Sequence, residues 1–323
     1  MPFGQLPGAQ SAGLDYPMIN KLIVSIGTSA FNEENNIQKM LLSVCKQAED
    51  KSFLIKEIIV ISDGSTDTTV KKALTIKDKR IKVIKFKKRS GQPYRINRLL
   101  RIFSGDFLVL IDSDMILKSQ TTIKKLILPF KKNKRLGLVI GNTIPIPAKT
   151  FLESAINNYI FARSAFRKEF NYGKTGYGPH GFLGYSRPFT QLLHIPKNIL
   201  NYDAFSFFSC KAKKFEYDFI NNSIAYYKSP RKIKDYINQS TRHLTGGLQL
   251  EKYFGSKIVR EAFAMPRFIL FKIMIYQLFR NPIGYIFLKI LNFYSMYQSK
   301  KAKNFNVIWA PIISSKKLHI STD

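Results

Sequence analysis

Asp106-Phe-Leu-Val-Leu-Ile-Asp112-Ser-Asp114 is a continuous apolar run that stops abruptly at two carboxylates. Gly105 bounds it on one side and polar residues follow on the other. Such a run fits a strand buried on both faces of a parallel sheet. The carboxylates then fall at the strand's carboxyl end, where open α/β sheets bind their ligands. Two Asp at i and i+2 of an extended segment point the same way, so they can share a hard divalent cation and the phosphate oxygens it carries. The same pair also suits the approach to a helix starting near Ser119, and Asp-x-Asp alone does not separate these readings.

The preceding sequence supplies the context. Leu22-Ile-Val-Ser-Ile-Gly27 and Glu57-Ile-Ile-Val-Ile-Ser62 read as buried strands, and the alternating Ile81-Lys-Val-Ile-Lys-Phe86 as a half-exposed one. Ile37, Met40, Leu41 and Val44 recur at helical spacing, with Asn32 as the expected N-cap. A helix is predicted through Asn97, Leu100 and Ile102, another over 119–132, then a strand over Leu136–Gly141. Residues 150–170 read as a further helix. Strands alternating with helices in this way imply βαβ units and a mostly parallel central sheet flanked by helices, an α/β fold.

Phe31-Asn-Glu-Glu34, Ser62-Asp-Gly-Ser-Thr-Asp67, Gly91 through Asn97 and Asp112-Ser-Asp114, in this order, resemble family 2 glycosyltransferases of GT-A fold. The resemblance covers roughly the first half of the chain. It implies that Phe31, Glu33, Asp63, Asn97 and Asp112 line a nucleotide-sugar, and that Asp114 with Asp112 binds Mg²⁺ or Mn²⁺ on the diphosphate. Ser29, Ser62 and Gln92 depart from the family, which often has Pro, Asp and Lys there. Further on, Tyr202-Asp203 matches the family's Glu-Asp acceptor motif with Tyr in place of Glu, which makes Asp203 the expected general base. Gln239-Ser-Thr-Arg242-His243 resembles the Gln-x-x-Arg-Trp motif of membrane-linked members. Gln239 and Arg242 then face the leaving group from one side of a helix. Tyr172 through Gly184, rich in Gly and aromatics, reads as a loop where sugar and acceptor approach the backbone.

Charge adds a second constraint. Lys+Arg of 52 against Asp+Glu of 21 gives +31 over 323 residues, which points to nucleic acid, an anionic membrane or phosphate-rich substrates. No helix-turn-helix, RNP-type or zinc-finger pattern is present, so nucleic acid is not the expected partner. Two distant cysteines, Cys45 and Cys210, form no disulfide framework, and a reducing cytosol follows. Residues 1–20 lack the basic and apolar segments of a signal peptide and read as a loose tail. Phe268–Phe279 and Ile283–Tyr294 are apolar and aromatic, yet each is interrupted by charge. Neither reaches the roughly 20 apolar residues of a spanning helix, so an amphipathic pair in a membrane interface is expected.

The division expected is therefore a tail over 1–20, a GT-A domain over 21–250 and a basic, aromatic helical region over 251–323. The expected function is inverting, metal-dependent transfer from a nucleotide-sugar, UDP-sugar first, to a hydroxyl of a lipid-linked or glycan acceptor. The protein would lie at the cytoplasmic face of an anionic membrane. A nucleotidyltransferase is the alternative enzyme, although Thr28-Ser-Ala-Phe-Asn is not the Gly-rich phosphate loop it would show. A catalytically degenerate, basic membrane-binding module is the non-enzymatic alternative.

Overall fold

Each buried apolar run becomes a strand of one eight-stranded sheet in the computed structural model, which describes residues 21–166, 181–301 and Ser314. The tail expected over 1–20, and residues 172–180 of the Gly- and aromatic-rich segment, lie outside the described residues. β1 (Leu22–Ala30), β2 (Phe53–Asp63), β3 (Ile81–Phe86) and β4 (Phe107–Ile111) run parallel to their neighbours in the order β3-β2-β1-β4. β3 sits at the sheet edge, which explains its alternating, half-exposed sequence.

The sheet continues beyond β4 through β7 (Phe182–Ser186), β6 (Leu136–Pro145), β8 (Glu216–Tyr227) and the two-residue β5 (Ile116–Leu117). β7 is antiparallel to both β4 and β6, whereas β8 is parallel to β6. The whole is a mostly parallel sheet of GT-A type.

Helices cover both faces. α1 (Ile37–Cys45) and α4 (Thr122–Lys132) pack Met40, Leu41, Leu126 and Phe130 against one side of the strands. α3 (Gln92–Ile102), α6 (Arg187–Leu192) and α7 (Tyr202–Ala212) pack Leu99, Phe189 and Phe208 on the other. α2 (Thr69–Leu74) follows the β2 turn. Covering both faces stabilises the fold by on the order of 25 cal/mol for each Å² of apolar surface taken out of water, which is what makes continuous apolar strands the stable choice here.

The later helices form a layer of their own. α5 (Phe151–Ala165) and α8 (Ile233–Phe254) carry α11 (Pro282–Lys301), through Ile156, Tyr236, Leu288 and Leu291 among others. α9 (Ser256–Phe263) follows α8, and α10 (Arg267–Arg280) packs Ile269 and Ile273 against Ala162 of α5. α8 runs unbroken past residue 250.

One expected cap is corrected. Helix α1 begins at Ile37 with Asn36 before it, not at Asn32. Asn32 adopts φ 53°, a left-handed conformation that Asn tolerates, and its side chain binds the β2 turn instead.

Candidate active site

The carboxyl ends of β1, β2 and β4 point to one edge of the sheet, and the loops leaving them are tied together. Asn32 accepts a hydrogen bond from the Thr66 amide at 2.9 Å, and the Glu33 amide donates to the Thr69 hydroxyl at 2.7 Å. Asp67 accepts from the Glu34 amide at 3.2 Å. Glu33 itself is buried, and its carboxylate accepts from the Asn36 amide group at 2.9 Å. Phe31 lies under the Arg89 guanidinium, 3.8 Å from ring centroid to carbon. The turn after β1 is thus braced by the turn after β2.

Asp63, ending β2, is committed to the next loop. It accepts from the Ser90 amide at 2.9 Å, the Gly91 amide at 2.8 Å and Arg95 Nε at 2.6 Å. Arg95 is itself buried, stacked 3.7 Å over Phe86, and it donates to the Lys88 carbonyl. Gly91 has φ 94°, a region that favours glycine, and this lets its amide turn back to Asp63. Ser62 beside it is wholly enclosed, and its hydroxyl finds no hydrogen-bond partner among the described residues.

The centre of the edge is Asp112. Its Oδ1 accepts from Gln92 Nε2 at 2.9 Å and from the Tyr202 hydroxyl at 3.2 Å. Its amide donates to the Gly181 carbonyl at 2.8 Å. A Cβ on Gly181, whose φ is 35°, would lie 2.1 Å from Asp112 Oδ2, so the backbone wraps this carboxylate closer than any side chain permits. Burial first, then the charges of Asp114 and Asp203, hold the Asp112 pKa well above the carboxylate range.

α7 brings Asp203 to the same place from its first turn. Burial pushes its carboxyl up to about 6, against the opposing pull of the Ala204 amide, which donates to it at 2.8 Å, and of Arg242. Arg242 arrives from α8 and faces Asp203, Asp112 and Asp114. Burial lowers the guanidinium's pKa and those three carboxylates oppose it. The expected residues that the fold gathers here are therefore Asp112, Asp114, Asp203 and Arg242.

Others stand apart. Asn97 is engaged elsewhere: its side chain donates to the Ile195 carbonyl at 2.6 Å and accepts from the Ile195 amide at 3.1 Å, so it staples α3 to the segment before α7. Gln239 sits one turn before Arg242, half-buried, with no side-chain hydrogen bond among the described residues. Two further carboxylates of the second half lie elsewhere: Glu216 pairs with Arg135 at 3.0 Å and Asp218 is exposed on β8. Gln92 and Tyr202, which appear in sequence only as departures from a family pattern, are the side chains that join Asp112 here without having been expected at the site.

The donor set suits a hard divalent cation. It offers carboxylate oxygens at high negative density, with Arg242 as the opposing charge. Among the described residues no group of three or more His, Cys, Asp or Glu could enclose a metal. Diphosphate oxygens and water would have to complete the shell, which is how Mg²⁺ is usually held.

Oxygen ligands for a cation on a diphosphate, beside a carboxylate placed to take a proton, are what a GT-A glycosyltransferase needs at this sheet edge. The glycosyl transferase family 2 model matches residues 25–193, just over half of the sequence, and the chain belongs to that family. It is 36% identical over 121 residues to an uncharacterized glycosyltransferase of Haemophilus influenzae, a match covering 37% of this chain and 36% of that protein. It is 30% identical over 120 residues to the Escherichia coli UDP-Glc:alpha-D-GlcNAc-diphosphoundecaprenol beta-1,3-glucosyltransferase WfgD, covering 37% and 45%. The matches thus span less than half the length of these curated relatives. Among solved structures, the mannosyltransferase PcManGT from Pyrobaculum calidifontis, in complex with GDP-Man and Mn²⁺, shares the fold. Its TM-score is 0.55 at 16% identity, over 89% of this chain and 77% of that one.

Proposed function

We propose that the protein transfers a sugar, with inversion, from a nucleotide-sugar to a hydroxyl of a lipid-linked or glycan acceptor. UDP-sugars are the first donors to test. The observation that carries this reading is the convergence of Asp112, Asp114, Asp203 and Arg242 at the end of β4. WfgD, by its name, acts on a diphosphoundecaprenol-linked sugar, which supports a lipid-linked acceptor here.

Phe31, Glu33 and Asp63 stand at the β1 and β2 ends where the nucleotide lies in this reading. Asp112 and Asp114 would hold Mg²⁺ or Mn²⁺, which supplies positive charge against the diphosphate leaving group when bound. Arg242 adds a second, fixed positive charge facing the same carboxylates. Gln239, one turn away, is kept as a contact to the sugar rather than to the carboxylates. Asp203 removes the proton from the acceptor hydroxyl as it attacks the anomeric carbon from the face opposite the nucleotide. A pKa of about 6 suits that task, since the base is ionised at neutral pH yet holds a proton better than an ordinary Asp. We assign catalysis to residues 21–250 and membrane attachment to 251–323, at the cytoplasmic face of a membrane.

The test is nucleoside diphosphate release from a panel of nucleotide-sugars, with and without a polyprenol-diphosphate-sugar acceptor. Asp203→Asn should bind donor normally and lose transfer. Transfer retained in that variant would remove Asp203 from the mechanism.

A further inference from the structure

Helices α10 and α11 are apolar on the side that faces away from the protein as well as on the side that packs. On α11, Gly284, Leu288, Leu291, Ser295 and Ser299 form the buried stripe. The opposite row begins Ile283, Ile286, Ile290, Phe293, and these are 56–72% exposed. On α10, Ile269 and Ile273 are buried, whereas Phe271 is 59% and Phe279 87% exposed. A helix bordering water normally turns charged and polar residues outward. Here the outward face is a contiguous row of large apolar side chains, the kind of patch that marks a binding surface on a soluble domain.

We propose that this outward face docks on an anionic lipid bilayer, with α10 and α11 lying along its surface. Charge selects the occupant. From 267 to 301 the chain carries Arg267, Lys272, Arg280, Lys289, Lys300 and Lys301 and no Asp or Glu. All six are exposed. A second copy seated symmetrically on this face would bring those cations against their own equivalents. An anionic headgroup layer complements them, and each long side chain can reach the headgroups while its neighbours enter the acyl boundary.

Lying flat fits better than crossing. No single helix among the described residues is long and apolar enough to cross a membrane. α9 and α10 together match a span by length and composition, but they meet at a 44° bend. α10 also keeps Ile269 and Ile273 against Ala162 of α5, so one side of it is occupied by protein.

The face is also tied to the active site. Tyr236 of α8 donates to Asn292 of α11 at 2.7 Å, and Thr241 donates to the Ser295 carbonyl at 3.5 Å. The residue after Thr241 is Arg242. A bilayer on α11 therefore lies one helix away from the carboxylates, within reach of an acceptor anchored in the same membrane.

The experiment is co-sedimentation of the full chain with sucrose-loaded vesicles, either phosphatidylglycerol-containing or pure phosphatidylcholine. It is independent of transferase activity, so its outcome and that of the assay above can differ. Binding to the anionic vesicles, weakened severalfold in phosphatidylcholine or at high salt, is the expected result. A quadruple variant, Phe271→Glu, Phe279→Glu, Ile290→Glu and Phe293→Glu, should lose at least about tenfold in vesicle binding with its melting temperature unchanged, because these side chains are exposed. Failure of the unaltered protein to bind anionic vesicles overturns the proposal. So does a dimer in light scattering that the variant converts to monomer, which assigns the face to a second copy. A variant that melts lower yet binds vesicles as before also overturns it, since the face would then be packed within the chain.

Discussion

Asp203→Asn should make the metal-free protein more stable at neutral pH while abolishing turnover. Burial lifts the Asp203 carboxyl from an ordinary 3.8 to about 6. The folded state therefore binds this proton more tightly than the unfolded chain does. Its contribution is least unfavourable in acid, worsens as pH rises from about 4 to about 6, and stays unfavourable above that. At about 1.4 kcal/mol per pH unit the ceiling is about 3 kcal/mol, and partial solvent access to a half-buried carboxylate reduces this to about 1–2 kcal/mol. Asn cannot ionise and escapes the penalty. In urea unfolding with EDTA present, the variant should exceed the parent by that amount at about pH 7.5 and converge with it below about pH 3.5. Parent turnover should fall below about pH 6, approaching tenfold per unit, as the base is protonated. A variant that is less stable at neutral pH, or whose advantage does not change with pH, would refute the reasoning about burial. A variant that still turns over would refute the assignment of the base.

Two further substitutions probe the supports of the site. Tyr202→Phe removes one of two neutral donors to Asp112 Oδ1 and leaves Gln92 in place; metal affinity should weaken by about three- to tenfold with little change in melting temperature, as isothermal titration with Mn²⁺ would show, and an unchanged affinity would deny Tyr202 a positioning role. Arg95→Met breaks a buried ion pair at 2.6 Å and strips the loop after β3 of its anchor. A loss of about 3–5 kcal/mol in denaturant unfolding is expected, and a loss below about 1 kcal/mol would show that the Ser90 and Gly91 amides alone hold Asp63.

Much of the fold was legible because β1, β2 and β4 contain continuous apolar runs and β3 alternates, each followed by polar or turn-forming residues. Asp112 and Asp114 were legible for the same reason, since a strand that ends in carboxylates announces where they stand. β7 was not, because Phe182–Ser186 is only five residues long and follows a stretch dense in Gly and Tyr. β8 was hidden by Asn221 and Asn222, which interrupt its pattern where its pairing with β6 shifts register. The bond from Asn97 to Ile195 was not legible, because its position near the loop says nothing of the direction its side chain takes from α3. Gln92 and Tyr202 were equally hard to place. Both looked like losses against a family pattern, yet each replaces a charged group with a neutral donor that reaches Asp112.

The central claim is that the end of β4 binds a nucleoside diphosphate together with a divalent cation. Its most direct test is the melting temperature of the purified chain with UDP, GDP and other nucleoside diphosphates, each with and without Mn²⁺. The account predicts a rise with one nucleotide, dependent on Mn²⁺ and absent in Asp114→Asn. A rise that persists in Asp114→Asn, or no rise with any nucleotide and metal together, would contradict it.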